Sequence, residues 1–382
     1  MPEETTTMRP TTGAHPALRP GRIGELRTAN LLAVSPMTRV SATADGTPTE
    51  QMADYYAEFA RGGFGLVITE GTYTDAAYSQ GYFNQPGIVT DRHVAGWREV
   101  TGRVHAAGAP IVLQLMHAGA LSQGNRHRDH TAGPSPVRPR GEMMPEYGGH
   151  GPWPVPKEMD EAAIAEAVRG FADSAVRARR AGFDGVEVHA ANGYLLDQFL
   201  TDYTNQRADR YGGPIAHRVR LAAEVVAAIR AAVGPDWCVG VRLSQTKVND
   251  FTYRWPGGAK DAETVFAALA EAGASYLHIA SEGRDWIETA RLGDGETITR
   301  LARRVTGLPV IANGGMHEPE RAARVLAEGH ADLLSIGRGA LANPDLPRLL
   351  AAGEAPRAFD PAMLEPFATL DNARRWRQAV GA

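Results

Sequence analysis

Short β-branched apolar runs recur along the chain, each followed by an Ala-, Glu- and Arg-rich stretch with helical spacing. The runs lie near 31–36, 64–69, 110–115, 183–188, 238–243, 275–280, 308–312 and 332–336. Helices are predicted over 49–61, 92–107, 160–181, 216–233, 261–272, 297–306, 318–328 and 344–352. Several end on a helix stop signal, as in Ala107-Gly108, Ala181-Gly182 and Ala272-Gly273. The strands are apolar throughout, the mark of a parallel sheet covered by helices. Eight strand–helix units without a topological break favour one closed α/β barrel, a (β/α)8 TIM barrel, over an open doubly wound sheet. The barrel is expected over 21–355, between a Thr- and Pro-rich N-terminal tail, 1–20, and a C-terminal tail, 356–382. Strand three and its helix are separated by a Gly-, Pro- and His-rich insert, 117–159. A loop that long in a small domain is usually functional, so this one is expected to form a lid over the barrel mouth.

Composition narrows the function classes. With 43% hydrophobic and 22% charged residues the 382-residue chain reads as an ordinary globular protein with a large core. A formal net charge of −4 argues against nucleic-acid binding driven by phosphate contacts. The arginine runs at 177–180 and 300–304 fall on helical patterns with acidic neighbours and read as solvated faces. The one cysteine, Cys238, rules out an intramolecular disulfide and sits in an apolar run as a buried structural thiol. The first twenty residues lack the apolar stretch of a signal peptide, and no apolar run is long enough to span a bilayer. The expected location is cytoplasmic.

Catalytic groups of such barrels come from the C-terminal ends of the strands. Those ends carry Pro36-Met37-Thr38, Thr69-Glu70-Gly71, Gln114, His189 followed by Asn192 and Tyr194, Arg242, Asn313-Gly314-Gly315, and Gly337-Arg338. The last two turns of the fold frequently hold a phosphate. Gly314, Gly315 and Gly337 would admit one close to the backbone, and Arg338 adds charge-assisted donors. Gly337 to Ala342 also matches a dinucleotide fingerprint, G-x-G-x-x-A. No further strand is evident in the remaining 40 or so residues, so the match is set aside. His189 has no second ligand at metal spacing, and no nucleophile elbow is visible. The looser His127-x-x-His130 reads as loop. A histidine and an asparagine beside a phenol suit the binding of a polarised oxygen with a proton delivered nearby.

These residues resemble the Old Yellow Enzyme family of FMN-dependent ene-reductases. The likeness runs from about residue 22 to about residue 350. It rests on Ser35-Pro36-Met37-Thr38, Gln114-Leu115, Val186 to Leu196, Arg210-Tyr211-Gly212-Gly213, Arg242 and Ile336-Gly337-Arg338. The resemblance implies that Pro36, Met37 and Thr38 lie against the flavin, and that Gly71 and Gln114 hold its pyrimidine side. Arg242 would place charge near that end, and Gly314, Gly315, Gly337 and Arg338 would receive the phosphate. His189 and Asn192 would grip the oxygen of an activated alkene, and Tyr194 would protonate it. A phenol of ordinary pKa, about 10, keeps its proton for that purpose. NAD(P)H is the implied reductant, in a ping-pong cycle.

Tyr82 and Met116 are the implied substrate-pocket residues; Tyr147 and Trp153, from their place in the insert, are expected at the entrance. Met116 stands where many relatives carry Trp, and His117-Ala118-Gly119-Ala120 departs from the usual His-x-Gly-Arg. The stretch 245–258, after strand five, is unusual and carries no assigned role. Larger relatives append an iron–sulfur cluster and a second nucleotide-binding domain, and a single cysteine implies neither here. Some relatives exchange an arginine between subunits, which would make Asn372 to Arg377 a homodimer contact, against the plainer reading of a basic tail. Two alternatives stay open. One is a flavin barrel catalysing isomerisation or oxidation of a biosynthetic intermediate; the other is a barrel that binds a ligand without catalysis.

Overall fold

Nearly every residue in the predicted strand cores is buried, as a sheet covered by helices requires. The computed structural model describes residues 14–281, 286, 290–292 and 295–381. The barrel strands are β1 (Leu32–Val34), β2 (Leu66–Ile68), β3 (Ile111–Met116), β4 (Gly185–Asn192), β5 (Cys238–Lys247), β6 (Tyr276–Ile279), β7 (Val310–Asn313) and β8 (Leu333–Ile336). All pair in parallel and in chain order. The ring closes because β1 meets β8, with Val34 opposite Ile336, and also β2, with Ala33 opposite Leu66.

The outer helices are α1 (Glu50–Arg61), α2 (Asp91–Ala106), α3 (Glu161–Arg180), α4 (Arg220–Val233), α5 (Ala259–Glu271), α6 (Ile298–Thr306), α7 (Pro319–Ala327) and α8 (Leu346–Ala352). Side-chain oxygens of Thr49, Thr90, Asp160 and Thr297 accept a first-turn N–H and so start four of them. Each helix turns one stripe inward. In α3 that stripe is Ile164, Ala167, Phe171, Ala175 and Ala178, at the 3–4 spacing that one helical face requires. A hairpin, Gly21–Ile23 with Leu26–Thr28, buries Ile23 beside Cys238 at the start of β5 and closes the barrel floor.

Two strands run further than their apolar cores. The apolar run of β4 ends at 188, yet the strand reaches Asn192; that of β5 ends at 243, yet the strand reaches Lys247. Ser244, Gln245, Thr246 and Lys247 are polar yet buried, so an apolar-run criterion ends β5 too early. The register slips between Leu243 and Lys247, and Lys247 lands opposite Asn192.

The insert, 117–159, folds back on itself. Ala132–Gly133 pairs with Lys157–Glu158, and Pro145–Tyr147 makes a single 3-10 turn. Of the N-terminal tail, 1–13 lies outside the described residues, while His15 Nε2 meets Pro319 O at 2.9 Å. The C-terminal segment ends in a helix, Leu370–Val380, docked on its own chain: Arg377 Nη1 reaches Glu58 Oε1 at 2.9 Å. Among the described residues no helix is long and apolar enough to cross a membrane.

Candidate active site

A cavity of about 730 Å³ opens at the C-terminal ends of the strands, within the usual size of ligand sites. Pro36, Met37, Thr38, Gly71, Gln114, Met116, His189, Asn192, Tyr194, Arg242, Gly314, Gly315, Gly337 and Arg338 all line it. Residues scattered over some three hundred positions thus share one wall because each follows a strand of the same ring. Tyr82 is the exception. It is fully buried behind Tyr194, and the two phenol hydroxyls are hydrogen-bonded to each other. Trp153 is buried in the same apolar cluster, whereas Tyr147 faces the cavity.

The barrel interior beneath the cavity is polar. Strand pleating puts Glu187 and His189 on one side of β4, and the register sets His189 beside Arg242 and Arg242 beside His278. Glu187 accepts hydrogen bonds from Gln114 Nε2 at 2.9 Å and from Tyr276 Oη at 3.0 Å. Its Oε2 also lies 2.9 Å from His278 Nδ1, and His278 Nε2 reaches Ser335 Oγ at 2.7 Å. Burial alone would raise the Glu187 carboxyl, but His278, Arg242 and the Gln114 hydrogen bond together hold it below the usual range. Burial, reinforced by Arg242 and His278, lowers His189 well below an ordinary imidazole. His189 is therefore neutral at working pH. This network supports Gln114 and Arg242 from below, and the sequence reading missed it. Its trace was an ionisable residue within otherwise apolar strands, Glu187 in β4 and His278 in β6.

His189 Nδ1 and Asn192 Oδ1 are buried without a hydrogen-bond partner among the described residues. Buried polar atoms are rarely left so unless a ligand or water meets them. The Tyr194 ring lies beside His189, with centroids 5.0 Å apart. On the opposite wall Gly314 and Gly315 have φ of 119° and 68°, open to glycine but strained for other residues. A Cβ on Gly337 would meet nothing of the chain closer than 3.8 Å, so the cradle there is open. Arg321, in α7, was not foreseen from sequence. It lines this end and lies 3.0 Å from Glu318, close enough to Gly315 that a Cβ there would collide with its guanidinium. His127 and His130 stay in the loop. His130 meets Tyr78 Oη at 3.1 Å, and no group of three metal-ligating side chains occurs among the described residues.

Residues 18–355 match the family model of the NADH:flavin oxidoreductase / NADH oxidase family. The chain belongs to that family. It is 33% identical over 341 residues to an NADH oxidase of Thermoanaerobacter brockii, covering 87% of this chain and 50% of that protein. The chain thus spans about half the length of that relative, and 54% of a metal reductase of Desulforamulus reducens. Among solved structures, morphinone reductase in complex with tetrahydroNAD superposes with a TM-score of 0.80 at 32% identity, covering 91% of this chain and 93% of that one. The Old Yellow Enzyme homologue from Zymomonas mobilis gives 0.81 at 31%, covering 93% and 99%. Membership of the Old Yellow Enzyme family agrees with the barrel and its order of strand-end residues.

The residues present fit FMN, the flavin of this family. The open glycine cradle with Arg321 and Arg338 suits a phosphate, and Gln114 with Arg242 offers polar contacts for a ring. Between that wall and the insert stand the unpartnered His189 and Asn192 atoms, on the side left for substrate.

Proposed function

We propose that the chain reduces the carbon–carbon double bond of activated alkenes, namely enones, enals and nitroalkenes, with NAD(P)H in a ping-pong cycle. The observation that carries this reading is the buried, unpartnered His189 Nδ1, with the Asn192 amide and the Tyr194 phenol beside it on the same cavity wall. Similarity to an NADH oxidase and to morphinone reductase in complex with tetrahydroNAD supports a nicotinamide reductant.

FMN would lie against Pro36, Met37 and Thr38, with Gly71, Gln114 and Arg242 at the ring and Gly314, Gly315, Gly337 and Arg338 at the phosphate. When bound, it supplies a two-electron store that takes hydride from NAD(P)H and gives it to the alkene β-carbon. His189 and Asn192 bind the substrate carbonyl or nitro oxygen. A neutral imidazole donates a hydrogen bond without the reorganisation that a buried cation would impose, and such fixed donors matter most where charge develops. As enolate-like charge grows on that oxygen, Tyr194 Oη delivers its proton to the α-carbon. Tyr82, its phenol held well above the usual tyrosine range by burial and by the Tyr194 beside it, stays protonated and steadies the Tyr194 hydroxyl. Met143, Met144 and Tyr147 of the insert close the outer side and exclude water, which is the lid role we assign to 117–159.

The test is anaerobic. Flavin-loaded protein is reduced with NADH or NADPH and mixed with 2-cyclohexenone. Reoxidation with formation of cyclohexanone is expected, and Tyr194→Phe should slow it by about a hundredfold or more, the usual worth of a positioned acid. Reoxidation by the variant at the parent rate would remove Tyr194 from the role, and no alkene turnover by the parent would sink the reading as a whole.

A further inference from the structure

β5 continues past its apolar core to a buried lysine. Lys247 Nζ lies 2.6 Å from Asp197 Oδ1, and both side chains are at most 1% exposed. The other carboxylate oxygen of Asp197 accepts the Gly193 N–H at 2.7 Å. Desolvating two charges offsets most of their attraction, so a buried pair of this kind contributes little net stability. What it supplies here is geometry.

The turn it holds is unusual. Asn192 and Gly193 both have left-handed backbones, with φ of 66° and 87°. For a side-chain-bearing residue that conformation is uncommon, and it persists only where the surroundings over-determine it. They do so at the backbone N–H and C=O groups of both residues. Ser244 Oγ accepts the Asn192 N–H at 2.8 Å, and Val248 N–H donates to Asn192 O at 3.1 Å. Gln198 Nε2 donates to Gly193 O at 2.7 Å. Lys247 is in turn seated over the Tyr253 ring, 4.6 Å from its centroid, and the Tyr253 hydroxyl donates to Asp202 Oδ1 at 2.9 Å. Neither Lys247 nor Asp197 lines the cavity. Of the segment 245–258, Val248 and Phe251 line the cavity directly, while Lys247 braces the turn from behind.

We propose that Lys247 and Asp197 are positioning residues, which together lock the Asn192–Tyr194 turn so that the Asn192 amide and the Tyr194 phenol face the substrate oxygen and α-carbon. The proposal rests on the roles given to Asn192 and Tyr194 above.

The decisive variant is the double Asp197→Leu/Lys247→Met, which removes both charges, strands neither and takes away the acceptor of the Gly193 N–H. It is compared with the parent, both loaded with FMN, by four readouts: flavin content, reaction of the reduced enzyme with oxygen, its reaction with 2-cyclohexenone, and the visible flavin band shift on titration with cyclohexanone. Oxygen needs no grip from Asn192 or Tyr194, so flavin content and the oxygen reaction are expected at parent values. The enone reaction should fall by about tenfold to a hundredfold, as a misplaced donor does, and cyclohexanone should bind correspondingly more weakly.

A flavin-loaded double variant within twofold of the parent in both the enone reaction and ketone binding would overturn the proposal. So would a loss in which the oxygen reaction falls equally, since that is general damage. Should the double variant fail to retain flavin, Lys247→Met, which removes the ammonium from Asp197 and leaves its Gly193 acceptor in place, is judged by the same outcomes. If the parent itself reduces no alkene, the ene-reductase reading fails, while the ketone titration still compares parent with variant.

Discussion

At Glu70 the barrel carries a carboxyl that no solvent reaches. Burial pushes it up to about 7, against the opposing pull of the Arg39 N–H at 2.8 Å and the Tyr56 hydroxyl at 3.1 Å. Glu70 sits between Thr69 and Gly71 on the cavity rim, and Arg39 follows Thr38, so its protonation bears on both flanks of the proposed flavin site. The folded chain holds this proton more tightly than the unfolded one does. Its contribution to stability is therefore full below about pH 4.5 and is lost as pH rises to about 7. Thermal melts of the parent should weaken across that window, and Glu70→Gln should flatten the dependence; an identical slope in both would refute the assignment. His189 has the opposite sign. Its depressed pKa costs stability only as pH falls below about 6.5, where the unfolded imidazole protonates first.

Among the elements, the insert has most to say about selectivity. Its 3-10 turn brings Met143, Met144 and Tyr147 to the cavity, and the Tyr147 ring lies tilted on Tyr82, with centroids 4.7 Å apart. Tyr82 in turn bonds Tyr194, so the outer wall and the proposed acid are mechanically linked. Tyr147→Ala is expected to admit larger alkenes and to raise KM for 2-cyclohexenone about tenfold, since an aromatic contact and its buried area are lost. An unchanged KM across a series of alkene sizes would show that the insert does not shape the pocket. Helix starts are a contrasting case, where one residue decides: Thr49 accepts the Met52 N–H, and Thr49→Ala should cost about 1 kcal/mol in chemical denaturation.

On the scale of the whole molecule, the C-terminal segment ties the ring's first strand end to its surface. Arg39, only 1% exposed, donates to Ala368 O at 2.9 Å and to Thr369 O at 3.1 Å. Beside it Val40 holds a φ of 39°, strained for a β-branched residue, in the segment just after Thr38. Arg377 adds its ion pair to Glu58 on α1. Removing 365–381 would leave the buried guanidinium without these acceptors, at a cost of about 3 kcal/mol or more. We expect a lower melting temperature and faster loss of flavin on gel filtration; flavin retention equal to the parent would mean that the Thr38 segment holds itself.

Much was legible in the sequence because it is written locally. Strand and helix periodicity, stop signals and eight repeats of one unit determined the barrel, and strand-end polar residues determined its functional rim. His189, Asn192 and Tyr194 could be singled out because they fall within six residues of one strand end. Other features depend on partners far apart in the chain, and only tertiary structure decided them. Glu187 meets His278 and Ser335 across the barrel, Arg321 swings back to the Gly315 turn, and Tyr82 stands behind Tyr194 instead of on the wall. Lys247 looked like one more polar residue in a segment of no assigned role. Its burial against Asp197 follows from a slipped register between β4 and β5, and register is a property of paired strands that neither strand encodes alone.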